Sequence, residues 1–180
     1  MLKLTVPGGE RWDEKKQEFV HDKTVALQLE HSLVSLSKWE GKWEKPYLGK
    51  EPLSFEETVD YIRCMTLTQN VDPEVYLRLT AANIAEVNRY IRAPMSAAKV
   101  RKAKSPEGPR PVMTAETIYA NMIALGIPFE CQKWHLNRLI ALIKECDRRS
   151  RPPKKLSMEE IMQRNIALNR DRCKRLNTRG

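Results

Sequence analysis

A chain of 180 residues can bury one sizeable core and still carry a tail, and its formal charge of +9, from 32 Lys plus Arg against 23 Asp plus Glu, is unevenly placed. Residues 148–180 hold eleven basic and three acidic side chains, a net of +8, which leaves a nearly neutral body at +1. No apolar run approaches the ~20 residues that span a bilayer, no basic-then-apolar leader opens the sequence, and Cys64, Cys131, Cys146 and Cys173 form no C-x-x-C pair, so a membrane span, export and a disulfide framework are not expected.

Leu2-Lys3-Leu4-Thr5-Val6 alternates as a half-buried strand does, and Pro7-Gly8-Gly9 ends it with turn chemistry. Phe19-Val20 and Thr24 to Leu29 offer one or two further short strands, with His21-Asp22-Lys23 as the turn between them. An isolated hairpin is marginal in water, so this small sheet needs a helix over its apolar face. The segment that begins at Ser32 can provide it: Leu33, Leu36, Trp39, Glu40 and Trp43 follow at helical spacing until Pro46. Ser54 and Glu57 form a capping box that predicts a helix over 55–67. Asp72-Pro73 opens a short helix with Val75, Tyr76 and Leu79, and Thr80 caps the next, whose Ile84, Val87, Tyr90 and Ile91 end before Pro94.

Residues 94–113 change character, alternating Pro and Gly with Lys99, Arg101, Lys102, Lys104 and Arg110, the composition of a mobile basic loop. Thr114 caps a helix that Gly126 stops. From Pro128, at a first-turn position, no Gly or Pro follows until Pro152, which predicts one helix over 128–147. Its Leu136, Leu139, Ile140, Leu142 and Ile143 make it the expected central core element. Arg151-Pro152-Pro153-Lys154-Lys155 reads as a stiff charged linker, and Ser157 with Glu160 caps a last helix carrying Ile161, Met162, Ile166, Leu168 and Leu176 among many basic residues. The fold class expected is mainly α with a small N-terminal β-hairpin or sheet: a helical body over 1–150, then a basic linker and C-terminal helix over 151–180.

Little of this pattern carries chemistry. Cys131 and His135 at i and i+4 could place two metal ligands on one helical face, but Cys146 is too far along to share an ion with Cys131, and a satisfied core histidine is by far the better reading of His135. Gly49-Lys50 is followed by Glu51 where a phosphate loop has Ser or Thr, and no G-x-S-x-G or paired-acid motif appears. The expectation is therefore no enzyme, no cofactor and no metal. Trp39, Trp43 and Trp134, interleaved with Lys, could stack on nucleic-acid bases, although Trp39 and Trp43 have the i, i+4 spacing of an ordinary packed face. Arg138 could pair with a buried acid or stack on Trp134.

Several strings together resemble a known group. They are Leu27-Gln28-Leu29-Glu30-His31-Ser32-Leu33-Val34-Ser35 with Lys38-Trp39-Glu40; Ile62-Arg63-Cys64-Met65-Thr66 with Asn70-Val71-Asp72-Pro73; the 127–143 segment; and Arg164-Asn165 with Ala167-Leu168-Asn169. Across nearly its whole length the chain resembles the tail assembly chaperones encoded in the tail modules of long-tailed bacteriophages. That resemblance implies a non-enzymatic protein of the host cytoplasm that binds the tape measure protein and helps tail tube proteins assemble around it.

The expected partner-binding residues are Trp39, Trp43, Ile161, Ile166 and Leu168, with one indole of the pair partly exposed and Trp43 as the anchor. Arg148, Arg149, Arg151, Lys154, Lys155, Arg170, Arg172, Lys174 and Arg175 are the expected contacts to a polyanion or an acidic neighbour. Self-association and weak nucleic-acid contact are further partner classes. The competing function is a structural virion component, a tail or head–tail joining protein.

Overall fold

The computed structural model describes residues 1–14, 17–97, 112–150 and 157–177. Met1–Arg148 form one compact unit and Arg149–Gly180 a second. The expected loop at 94–113 falls mostly outside the described residues, as does the expected linker at 151–155.

The first unit opens with four short strands, β1 (Leu2–Val6), β2 (Glu10–Asp13), β3 (Glu18–His21) and β4 (Val25–Leu29). β1 pairs antiparallel with β4, Leu4 opposite Leu27, and β2 pairs with β3, Glu10 opposite His21. The expected turn at His21-Asp22-Lys23 does not join two paired strands. It is the place where the chain passes from one ribbon to the other, and the Asp22 amide donates to Gly9 O at 2.7 Å there. Gly8 is required at this crossing, because a Cβ would lie 2.2 Å from Asp22 O. Strand alternation puts Leu4, Val6, Leu27 and Leu29 on one fully buried face.

Helices then follow: α1 (Leu33–Trp43), α2 (Phe55–Met65), the single turn α3 (Glu74–Leu77), α4 (Ala81–Arg92) and α5 (Ala115–Ala124). Their starts are set locally. Ser32, Ser54, Thr80 and Thr114 each accept a backbone N–H from the residue three ahead, and the first three are completed as capping boxes. α5 ends as Gly126 takes φ +64°, a left-handed conformation that glycine adopts without strain.

The helix packed on β1 is α4, not the α1 that follows the strands directly, and Asn83 of α4 donates its side-chain amide to Thr5 O at 3.0 Å. α1 instead occupies the centre, with Leu33, Leu36 and Trp39 fully buried against α2 and α5.

The helix expected over 128–147 is broken. Phe129–Lys133 is a 3₁₀ turn, Trp134 is extended at φ −71° and ψ 162°, and α6 runs over Leu136–Ser150. The break has a tertiary cause: Ser32 and His135 form an antiparallel bridge, and the Leu136 amide donates to His31 O at 2.7 Å. Those bonds join segments far apart in sequence, so helical propensity over 128–135 loses to them.

Described by itself, the second unit contains α7 (Met158–Leu176), started by the Ser157–Glu160 capping box and ended at Asn177, which is left-handed at φ 51°. Acidic Glu159 and Glu160 occupy its first turn and basic Lys174 and Arg175 its last, each sign favourable to the helix dipole.

Candidate functional site

Two surfaces carry the residues singled out as partner-binding, and each is built by a different part of the chain. On α1, the i, i+4 spacing stacks the Trp39 and Trp43 rings at 6.1 Å with 27° between planes. Trp39 is fully buried, and its Nε1–H donates to Glu57 O at 3.0 Å. It offers no surface to a partner in this conformation and works as core. Trp43 is half-buried, and its Nε1–H donates to Asp60 Oδ2 at 3.0 Å.

Charges close around the exposed indole edge. Lys42 Nζ reaches Asp60 Oδ1 at 2.5 Å and lies 5.7 Å from the Trp43 ring centroid, while Lys45 pairs with Glu57 and sits 6.0 Å from the same ring. Burial pushes the Asp60 carboxyl up, but hydrogen bonds from Lys42 and Trp43 and the nearby positive charge outweigh it and hold the group below its ordinary range. The Lys45 ammonium, with the Ser54 amide, does the same for Glu57. Asp60 and Glu57 stay ionised, and two lysine–carboxylate pairs border the Trp43 ring.

The second surface is α7. No residue of this helix is buried, and Met158, Ile161, Met162, Ile166, Leu168 and Leu176 keep between 40% and 82% of their surface exposed. At 100° per residue these side chains, with Asn165, Asn169, Cys173 and the charged Arg172, fall within less than half of the helix circumference. Arg164, Arg170, Arg172, Lys174 and Arg175 are exposed on the same helix. It thus brings Ile161, Ile166 and Leu168 together with Arg170, Arg172, Lys174 and Arg175, as the sequence pattern expects.

The remaining basic residues belong to other segments of the chain. Arg148 is engaged by Glu145 through two hydrogen bonds, at 2.6 and 3.0 Å, and Arg149 follows it in the last turn of α6. Arg151, Lys154 and Lys155 lie outside the described residues.

Three features escape sequence reasoning. Glu40 is buried and uses both carboxylate oxygens, accepting the Tyr47 amide at 2.9 Å and the Ala115 amide at 2.7 Å, so it ties the loop after α1 to the first turn of α5. A cleft of about 310 Å³ between α2, α4 and that loop is lined by Tyr47, Phe55, Tyr61, Ile84 and Ile91. The third is a buried polar cluster: His31 Nδ1 and the Tyr61 hydroxyl share a 2.6 Å bond, His135 Nε2 donates to Tyr90 O at 3.1 Å, and the Tyr90 hydroxyl donates to Glu30 Oε1 at 2.8 Å. His135 Nδ1 accepts the Asn137 amide, which fixes the Nε2–H tautomer of a neutral ring. The i, i+4 signal of Cys131 and His135 gave no hint of this, because the helix it assumes is interrupted between them.

Among the described residues no three of His, Cys, Asp and Glu are placed to hold a metal ion, and no helix is long and apolar enough to cross a membrane. Arg138 takes the stacking alternative, its guanidinium 4.3 Å from the Trp134 centroid. In comparisons with known proteins the chain matches no family model, no curated protein and no solved structure.

Proposed function

We propose that this chain is a non-enzymatic tail assembly chaperone of a long-tailed bacteriophage, which binds the tape measure protein in the host cytoplasm and assists assembly of tail tube proteins around it. The observation that carries this reading is the unburied stripe on α7, six large apolar side chains on a helix too charged to build a core of its own. An apolar helical stripe edged with Arg and Lys fits an amphipathic client helix with acidic margins, laid alongside it. The identity of the client comes from the sequence resemblance to tail assembly chaperones. Trp43, partly buried under two ammonium groups, supplies a second contact of the same character.

Co-expression of the tape measure protein with either the full chain or a chain ending at Ser150, followed by pull-down, tests the reading. The full chain is expected to recover soluble client and the shortened chain to recover little. Equal recovery would remove α7 as the client-binding element, and no recovery with either would remove the client. The exposed Arg and Lys of α7 favour one alternative, a structural tail or head–tail joining protein whose basic end meets an acidic neighbour or the genome. Mass spectrometry of purified mature particles separates the two: stoichiometric amounts establish the structural role, and absence supports a transient chaperone.

A further inference from the structure

The order of residue types along α7 is close to a palindrome centred on Ala167. Asn165 and Asn169 lie two residues to either side, and Ile166 and Leu168 flank the centre directly. At the ends, Met158 and Ile161 mirror Leu176 and Cys173, and acidic Glu159 and Glu160 mirror basic Arg175 and Lys174; Met162 opposite Arg172 departs from the pattern. We propose that α7 pairs with the α7 of a second copy of this chain, antiparallel, about a two-fold axis at Ala167.

Three consequences of that arrangement select it over others. In an antiparallel pair the residues at one level are those equidistant from the axis, so Met158 comes level with Leu176 of the copy, Ile161 with Cys173 and Ile166 with Leu168, while Met162 lies level with the aliphatic stem of Arg172. Asn165 comes level with Asn169 of the copy, which lets the polar amides bond each other instead of facing hydrocarbon. The acidic first turn of each helix runs beside the basic last turn of the other, and the two helix dipoles oppose. A parallel pair would set acid against acid and base against base. The contact is isologous and closes at two copies, each α7 contributing about 28 Å of helix at 1.5 Å per residue. Glu160 also closes the capping box with Ser157, so the charge argument rests on the whole turn and not on that carboxylate alone.

The pairing and a client helix would use one stripe. A second copy therefore covers the apolar side chains until a client displaces it. The pairing does not depend on which client that is.

Disulfide trapping of the full chain, without client, tests the register. In the antiparallel pair Met162 comes within one residue of level with Cys173 of the copy, whereas the two Cys173 residues are about 18 Å apart. Oxidised glutathione should convert Met162→Cys into a covalent dimer on a non-reducing gel. Wild-type chain should stay monomeric on that gel, and Met162→Cys combined with Cys173→Ser should lose the dimer. Met162 is exposed, so the substitution leaves the fold intact. A dimer from wild-type chain that Cys173→Ser abolishes would mean parallel pairing and overturn the proposal. Failure of Met162→Cys to form a dimer, at concentrations where sedimentation shows only monomer, would overturn it as well and leave the chaperone reading standing.

Discussion

The imidazole rings of His31 and His135 meet edge to face inside the core, their centroids 5.1 Å apart. They arrive from opposite directions: His31 ends the strand-to-helix junction before α1, and His135 is the last residue before α6. The bridge from Ser32 to His135 and the bond from the Leu136 amide to His31 O lock the two segments together. Around the rings stand Tyr47 and Tyr61, the Tyr90 ring and carbonyl, and Glu30, whose carboxylate also meets the N-terminal ammonium at 2.9 Å.

This contact makes stability depend on acid. Burial first, and the neighbouring His135 second, push the His31 pKa down to about 3, and burial lowers His135 against the opposing pull of the Tyr90 carbonyl and Glu30. A histidine in the unfolded chain titrates near 6.5, so its stabilising contribution is complete above that pH and is lost as pH falls toward 3. At pH 5 the His31 term alone has lost about 2 kcal/mol. Thermal melts should show a lower melting temperature at pH 5 than at pH 7, and His31→Gln should flatten that dependence even if it lowers both values. A melting temperature equal at the two pH values in wild-type chain would remove the claim.

Much of the helix inventory is legible because its signals are local. Ser32, Ser54, Thr80, Thr114 and Ser157 are recognisable as caps from the few residues after each, and the structure uses all five in that role. The strands show where local signals stop. Nothing near Glu10–Asp13 announces a strand, and its partner β3 lies where the alternation suggested a hairpin with β4. The break at Trp134 and His135 is decided by His31 and Ser32, a relation no window along the sequence contains. The same limit applies to the candidate site: the apolar stripe of α7 is visible in its spacing, but the full burial of Trp39 and the partial burial of Trp43 depend on where α2 lies.

That difference between the two indoles predicts unequal costs. Trp39→Ala empties a fully buried site and removes the indole hydrogen bond to Glu57 O, so urea denaturation should register a loss of about 3–5 kcal/mol. Trp43→Ala removes a partly buried side chain and one hydrogen bond to Asp60, and its cost should be lower, about 1–2 kcal/mol, with the helical circular dichroism retained. Equal losses would mean that Trp43 is as much a core residue as Trp39, and would remove it as a contact for the client.

Glu40 should prove expensive to replace for a different reason. Glu40→Ala leaves the buried amides of Tyr47 and Ala115 without their acceptor, at about 1–3 kcal/mol each, while Glu40→Gln keeps one oxygen and loses less. Denaturant midpoints for the two variants check the ranking. If Glu40→Ala and Glu40→Gln shift the midpoint alike by under ~0.5 kcal/mol, the tie between α1 and α5 contributes nothing.

Calorimetric titration with soluble helical segments of the tape measure protein tests most directly the proposed binding of a helical client on the α7 stripe. Ile161 and Ile166 are both exposed, so Ile161→Ala with Ile166→Ala should leave the melting temperature of the body unchanged. Removing two anchoring side chains costs on the order of 2 kcal/mol or more, so the double variant is predicted to raise Kd about thirtyfold or beyond. A Kd that matches the unsubstituted chain, measured with the same segments, would contradict the account.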